Sequence, residues 1–342
     1  MAQLKFKSRL LDAIIFGFLL GVLIFVVTQP SREQLLQLST IVSIALLCMG
    51  VGAFLSFVLN AMKIKTLGES VFDPPHLKAQ ETKTWFKTFW GVQLIVGFIV
   101  AFVTGIHVTE FSIFELLSED GFHGAGRIFS SLLHPNFEIL PQALLAIVQT
   151  IFMAFTATTL AIPVAFVLSF LCAKNIMGHT PIGFSIYMLL RSFLNVTRSI
   201  EPLIWAIIFS VWVGIGPFSG MLALMLHSIA SLAKQYSEMI ESVDRGPIEG
   251  IQSTGAGTLQ VLWFAVVPQI ILPYVSFTIY RWDINVRMAT VIGLVGGGGI
   301  GTMLIQYQGQ ALWNEVGCLV LLIAFVVWAM DTGSAYIREA IK

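Results

Sequence analysis

Four polar side chains, Arg281, Asp283, Asn285 and Arg287, interrupt an apolar stretch of the chain. A charge at the centre of a membrane helix costs at least about 2.5–3.5 kcal/mol, so such residues face protein or water rather than lipid. Asp283 and Arg287 can pair along one helical face because they are four residues apart. A guanidinium also presents a planar fork that fits phosphate-type oxyanions. The segment therefore predicts an internal ion pair or a polar translocation path for an anion.

The two interpretations do not suit these residues equally well. For Asp283 and Arg287 we favour the ion pair, because their spacing alone accounts for both charges. Arg281 has no acidic residue three or four positions away. For this residue the structural and the anion-path interpretations both stay open.

A short polar segment, Val243–Gly255, lies between two apolar stretches and is typical of one helix of about two turns. We expect Gly246 to be its N-cap and Pro247 its first helical residue. Glu249 then falls in the first turn, where a negative charge suits the helix dipole. Gly255 is suited to the left-handed conformation that ends a helix. The segment predicts a helix too polar to enter lipid, which either docks on a partner or is an ordinary capped loop.

The third unusual segment is rich in glycine. Its glycines are Gly296, Gly297, Gly298, Gly299 and Gly301. They satisfy the G-x-G-x-x-G pattern, but a dinucleotide site needs a preceding strand in a βαβ unit, and here an apolar helix precedes. We expect the glycines to allow close helix approach or a break in the backbone at an outer mouth. The chain has no G-x-x-x-x-G-K-[ST] pattern, so no P-loop for ATP is predicted.

Composition places these segments in a membrane protein. Of the 342 residues 56% are hydrophobic and 11% charged, with a formal net charge of zero, and the mean hydropathy is +0.86. A soluble domain carries about 25% charged residues. The three cysteines form neither a disulfide framework nor a metal site, and His227 is expected to be a satisfied core residue. The sequence has neither a nucleophile–base arrangement nor a metal-binding pattern that would predict an enzyme. Its net charge of zero gives no indication of a nucleic-acid partner.

We predict an all-α polytopic membrane protein with about eight transmembrane helices, since a span needs roughly 20 apolar residues. Pro163 lies inside the long fourth span and predicts a kink or tilt there. The eight predicted spans are Leu11–Thr28, Gln37–Leu59, Phe89–His107, Ala143–Cys172, Ile186–Ile215, Phe218–Lys234, Gln269–Leu294 and Ala311–Met330.

Loop charges predict the orientation of these spans. Basic residues near membrane helices remain in the cytoplasm, which places both termini and the loop 235–268 inside and the acidic loop 108–142 outside. The basic residues that carry this prediction are Lys5, Lys7, Arg9, Lys63, Lys65, Lys78, Lys83, Lys87, Arg338 and Lys342, and Arg32 is the single one in the first outer loop.

The chain divides into a three-helix extension (1–107), an outer loop (108–142) and a core (143–342). The outer loop alternates apolar and acidic residues. It is compatible with an amphipathic helix that lies on the membrane or contacts a solute-binding protein, and equally with a solvated connector.

The spacing of Glu249, Gly255 and Pro268 resembles the cytoplasmic EAA loop of ABC-importer permeases, although Gly-Ile replaces the Ala-Ala of that pattern. In this family the loop helix docks in a groove of the ATPase subunit and transmits its movements. The resemblance implies coupling roles for these three residues and for Pro247 and Gly250.

Three further segments, Gly214–Gly220, Tyr280–Arg287 and Val295–Gly301, resemble the permease of the phosphonate importer. The resemblance covers roughly residues 108–330, and typical members of that family look shorter at the N-terminus. It implies a five-helix permease core after three N-terminal helices whose role is open.

The same resemblance implies a permease subunit of an ATP-driven importer in the bacterial inner membrane, which carries phosphonate or a related phosphorus oxyanion (phosphate or phosphite). Its partners would be ABC ATPase subunits that bind ATP and Mg, a periplasmic or lipid-anchored solute-binding protein, and a second permease in a homodimer. The chain itself would need no cofactor. The alternative is a stand-alone anion channel or proton-coupled secondary carrier that uses Arg281, Asp283 and Arg287 as its ion path.

Overall fold

The computed structural model describes residues 2–28, 38–62, 64–72 and 84–341, and each regular element within them is a helix. The predicted all-α class is therefore confirmed. Part of the orientation prediction rests on residues outside this part of the chain: Arg32, Lys63, Lys78, Lys83 and Lys342.

The chain forms two compact units, Met1–Gly121 and Phe122–Lys342. The helices of the first unit are α1 (Ala2–Thr28), α2 (Leu38–Ala61), α3 (Leu67–Phe72), α4 (Phe89–Val108) and α5 (Ile113–Leu116). The boundary between the units falls within the predicted outer loop, and the sequence-based division into three parts stays a prediction.

A buried carboxylate organises the first unit. Asp12, on α1, accepts hydrogen bonds from Thr66 Oγ1 at 2.5 Å and from the Gly68 amide at 2.8 Å. The amides of the first turn of a helix have no partner within the helix. Asp12 supplies that partner from a neighbouring helix, and so fixes α3 against α1.

The second unit begins within α6 and ends with α16. Its helices are α6 (Glu119–Leu133), α7 (Leu140–Leu171), α8 (Lys174–Met177), α9 (Pro181–Ser199), α10 (Pro202–Val213), α11 (Pro217–Glu241), α12 (Arg245–Gln252), α13 (Thr258–Val261), α14 (Val267–Ile292), α15 (Ile300–Gly309) and α16 (Trp313–Ile341).

Helices α7, α11 and α14 form the centre of this unit. Small residues line their contacts, and all of the following are buried: Ala154, Ala157, Ala161, Ala165, Ala223, Ala230, Ala233 and Ala289. Between apolar helices in lipid, close van der Waals contact replaces the hydrophobic effect as the driving force. The alanines let the three backbones approach, and this brings the polar side chains of α11 and α14 together.

The predicted span Ile186–Ile215 is not one continuous helix, because two helices, α9 and α10, meet there at a bend of 92°. Pro202 is the first residue of α10, and the preceding Glu201 is extended (φ −60°, ψ 140°). A proline disfavours helical geometry in the residue before it and cannot donate its own backbone bond. The chain therefore breaks at this point.

Among the described residues, five helical segments are long and apolar enough to cross a membrane, and α9 with α10 can form a sixth. The five are Val42–Ala61, Phe89–Val108, Phe137–Leu171, Thr258–Val295 and Trp313–Ile341. The remaining two predicted spans lie within α1 and α11, each a single helix. The count of eight stays a prediction.

Candidate functional site

The predicted polar helix exists as α12, with eight residues. Its N-cap is Asp244, whose carboxylate accepts the Gly246 amide at 3.2 Å. The prediction of Gly246 as N-cap is therefore wrong, because an aspartate oxygen satisfies a first-turn amide and a glycine cannot. The helix begins two residues earlier than predicted, at Arg245, so Pro247 is its third residue and Glu249 lies beyond its first turn. The predicted left-handed conformation of Gly255 is confirmed, with φ +78°.

One face of α12 is exposed, and the other packs on the core of the second unit. Pro247, Glu249 and Gly250 are exposed, whereas Ile248 packs against the buried core. Within the part of the chain that the structure describes, a Cβ added to Gly250 would meet no atom within 4 Å. The exposed face is therefore open to a second protein.

Gln269 holds the start of α12 at the start of α14. Its side chain accepts the Asp244 amide at 3.0 Å and donates to the Asp244 carbonyl at 3.4 Å and the Ala265 carbonyl at 2.7 Å. A π-helical turn, Leu262–Val266, precedes α14, whose second residue is Pro268. Proline removes a backbone donor at that place, and the wider turn accommodates the loss. Movement of α12 would thus pass to the membrane-length helix α14.

A buried polar cluster, which we call the Arg281 cluster, joins the three central helices. It consists of Thr158 on α7, Ser228 on α11, and Arg281 and Asn285 on α14. Asn285 Nδ2 donates to Thr158 Oγ1 at 2.8 Å and to Ser228 Oγ at 2.7 Å. Arg281 Nε donates to the same Ser228 oxygen at 3.2 Å. Arg281 is 7% exposed and the other three residues are at most 3% exposed.

The Arg281 cluster holds a positive charge without a matching negative one. No carboxylate of the described residues lies within 4.0 Å of Arg281. The Oδ1 atom of Asn285 also has no hydrogen-bond partner in that part of the chain. A buried charge is costly unless an opposite charge and hydrogen bonds compensate it. The cluster therefore has the chemistry of a site that receives an anion.

His227 lies beside this cluster and differs from the expected satisfied core histidine. The imidazole is in electrostatic range of the Arg281 and Arg198 guanidinium groups. Its Nδ1 is buried and has no partner among the described residues. His227 therefore adds an unpaired polar atom next to the Arg281 cluster.

Asp283 and Arg287 lie apart from the Arg281 cluster, in an ion pair as favoured by their spacing. Arg287 Nη2 is 3.8 Å from Asp283 Oδ2. A closer partner, Asp331 on α16, lies at 2.8 Å from the same nitrogen. These three residues connect α14 to α16. Of the four predicted path residues, the structure groups Arg281 with Asn285 and separates Asp283 with Arg287.

The glycine-rich segment breaks the helix after α14, and it also packs closely, so both expectations for it are confirmed as backbone features. Gly296, Gly298 and Gly299 have positive φ values of 87°, 76° and 72°. A Cβ on Gly298 would lie 2.5 Å from the Pro217 ring, and one on Gly301 would overlap the Thr290 carbonyl. Gly297 contacts α11, because its carbonyl would lie 2.7 Å from a Cβ on Gly220. The break therefore sits directly against α11 and α14.

Substitution at Gly299 tests this packing. Its φ of 72° and ψ of −160° are accessible almost only to glycine, and a Cβ there would overlap Thr150 Oγ1, which accepts the Ile300 amide at 2.9 Å. We expect Gly299→Ala to destabilise the protein by at least about 2 kcal/mol. The measurement is the midpoint of heat-induced unfolding in detergent.

Gly309→Ala is the matched control, because it lies at the other end of α15 and a Cβ there meets no atom of the described residues within 4 Å. We expect a change within about 0.5 kcal/mol for this variant. Equal shifts for the two variants would contradict the close approach at Gly299.

The residues that sequence reasoning missed contact the predicted ones from distant parts of the chain. They are Ser228, Asp244, Gln269 and Asp331. Ser228 is an ordinary helix residue in the sequence, and only its contacts with Arg281 and Asn285 distinguish it. Asp244 had a usable signal in the sequence, since aspartate is one of the preferred N-cap residues.

The chain is similar to known membrane transport proteins. A family model described as "Binding-protein-dependent transport system inner membrane component" matches residues 165–341. The chain is 34% identical over 223 residues to the "Phosphite transport system permease protein PtxC" of Stutzerimonas stutzeri, a match that covers 65% of this chain and 80% of that protein.

A longer relative is the "Phosphate-import permease protein PhnE" of Mycolicibacterium smegmatis, with 32% identity over 72% of this chain. The match spans 45% of that protein's length. Among solved structures, an inward-facing form of the MetNI methionine ABC transporter aligns with a TM-score of 0.52 and 19% identity, over 60% of this chain and 99% of that one. The last likeness concerns the fold alone.

Proposed function

The chain belongs to the binding-protein-dependent transport system inner membrane component family, and from this membership we propose that it is the permease subunit of an ATP-driven importer for a phosphorus oxyanion. The resemblance to ABC-importer permeases inferred from the sequence is confirmed by the family match and by the relatives. The substrate is a phosphate, phosphite or phosphonate group, a class supported by two relatives named for phosphate and phosphite.

The observation that carries this proposal is the uncompensated charge of Arg281. The residue is buried where α7, α11 and α14 meet, and no carboxylate of the described residues balances it. A guanidinium binds oxyanions in a bidentate manner, whereas an apolar core would gain nothing from it. Arg281 and Asn285 contact the transported anion in this proposal, and Asp283 and Arg287 hold α14 to α16 beside the path.

Energy enters the permease through α12. The open face with Pro247, Glu249 and Gly250 docks on an ATPase subunit, which binds ATP and Mg, while Gly255 and Pro268 set the ends of the moving segment. The chain itself contributes no ATPase site. The loop 235–268 and both termini are cytoplasmic in this arrangement, and the glycine-rich break faces the outer side.

Two further partners complete the proposed complex. A second copy of the permease forms the other half of the path, and a periplasmic or lipid-anchored solute-binding protein delivers the anion. The permease binds its substrate weakly, because tight binding would slow release.

Reconstitution into vesicles tests the function. With its ATPase and solute-binding protein, the chain is expected to take up a phosphorus oxyanion only in the presence of ATP, and to reject sulfate by comparison. The measurement is uptake of labelled phosphate, phosphite and methylphosphonate.

The same vesicles distinguish the ATP-driven importer from the alternative function. A stand-alone channel or proton-coupled carrier would move the anion through this chain without any ATPase or ATP. Such flux, at the rate of the complete complex, would overturn the importer proposal.

A further inference from the structure

Helix α6 has three distinct faces over residues Phe122–Leu133. At about 100° per residue, Phe122, Phe129 and Leu133 lie within roughly 20° of one line along the helix. They are 70%, 65% and 78% exposed. These three side chains point away from the side of α6 that packs on the second unit. No residue in the described part of that unit covers them.

The other two faces of α6 are accounted for. Ile128 and Leu132 are half-buried and lie on the side that packs on the unit, whereas His123, Arg127 and Ser130 are exposed and follow the polar side. The apolar line lies between the packed side and the polar side. An exposed apolar line flanked by a polar one is the pattern of a helix that lies in the plane of a membrane surface.

Hydrogen bonds fix the end of α6 to the beginning of a membrane-length helix. The Asn136 amide donates to the Asn314 carbonyl at 3.1 Å, and Asn136 Nδ2 donates to Glu315 Oε1 at 3.2 Å. Asn314 Nδ2 donates to the His134 carbonyl at 2.8 Å. Asn314 and Glu315 belong to the first turn of α16. The C-terminal end of α6 is therefore held level with the end of α16.

Close backbone contact supports the same placement. A Cβ on Gly317 would lie 2.6 Å from the Leu132 carbonyl, so α6 rests directly on α16. The apolar segment Phe137–Leu171, long enough to cross a membrane, begins four residues after Leu133. Two membrane-length segments thus begin where α6 ends. A helix at that level meets the boundary between lipid and water.

We propose that α6 is an interfacial helix, with Phe122, Phe129 and Leu133 inserted between lipid acyl chains and with His123, Arg127 and Ser130 in the aqueous headgroup region. Apolar burial holds it there, since its polar face is not strongly cationic. Its function is to set the depth of the ends of α7 and α16 in the bilayer. This proposal does not depend on the transported substrate.

Spin labels on the full chain in phospholipid nanodiscs test this placement. Phe129→Cys is compared with Ser130→Cys, the adjacent residue on the polar face, by collision with oxygen, which concentrates in lipid, and with a water-soluble nickel complex. We expect the oxygen-to-nickel ratio to be at least about threefold higher at position 129. The wild-type protein, whose cysteines Cys48, Cys172 and Cys318 are buried, gives the background labelling.

Each other result would overturn the proposal. Strong nickel collision at position 129 would place that face in water. Weak collision with both reagents would show that a protein, such as a second copy of this chain or a solute-binding protein, covers it. If Phe129→Cys does not fold, Leu133→Cys with Arg127→Cys forms an equivalent pair, with the same expected ratio.

Discussion

Replacing Arg281 by glutamine is expected to lower ATP-driven uptake of the phosphorus oxyanion by roughly 10- to 100-fold, because hydrogen bonds to a charged group contribute about 1.5–3 kcal/mol. Glutamine keeps a donor near Ser228 but removes the positive charge. The measurement is the initial rate of uptake into vesicles that contain the complete complex.

The same substitution is expected to leave the permease as stable as before, or more stable. Arg281 is buried and has no carboxylate within 4.0 Å among the described residues, so its removal also removes the cost of a desolvated charge. Lost uptake together with an unchanged or raised unfolding midpoint would be the signature of a charge retained for function. Replacing a residue that only holds helices together would lower both the uptake and the unfolding midpoint.

Two controls make this result specific. Arg281→Lys keeps the charge without the planar fork, and we expect it to recover part of the uptake. Arg287→Gln changes the net charge by the same amount, but Arg287 already forms ion pairs with Asp283 and Asp331. Uptake should therefore fall less than in Arg281→Gln. Undiminished uptake by Arg281→Gln would remove Arg281 from the path.

Features that depend on a few neighbouring residues were predictable from the sequence. The short helix α12, the left-handed Gly255 and the break at the glycine-rich segment each follow from local backbone rules. The all-α membrane class follows from composition, because so few charged residues cannot cover a soluble protein.

Features that depend on distant contacts were not predictable. Thr158 and Ser228 are 127 and 57 residues away from Asn285 in the chain, and no spacing in the sequence indicates that either contacts it. Asp331 competes with Asp283 for Arg287 because α16 happens to pack beside α14. The bend of 92° before Pro202 follows a visible signal, but hydropathy averages across it and predicted one span.

Reversing the charge of Glu249 is expected to abolish coupling without disturbing the permease. Glu249 is exposed on α12, and among the described residues no salt bridge involves its side chain. Glu249→Lys should therefore fold normally. At a protein interface a like-charge contact costs several kcal/mol, so we expect association with the ATPase subunit to weaken at least about tenfold and uptake to fall with it.

The measurement is binding of the purified ATPase to the permease in detergent, alongside uptake in vesicles. Glu138→Lys is the matched control, because it reverses an exposed charge in the segment between α6 and α7, on the predicted outer side. It should leave ATPase association unchanged.

Gly255 supplies a second, independent arm of this test. A Cβ there meets no atom of the described residues within 4 Å, so its constraint is the φ of +78° and not space. Asparagine tolerates the left-handed conformation and a β-branched residue does not. Gly255→Asn should therefore retain coupling and Gly255→Val should lose it. If Glu249→Lys and Gly255→Val both bound the ATPase and transported normally, α12 would be an ordinary capped loop, and the energy of ATP hydrolysis would have to enter through another surface of the chain.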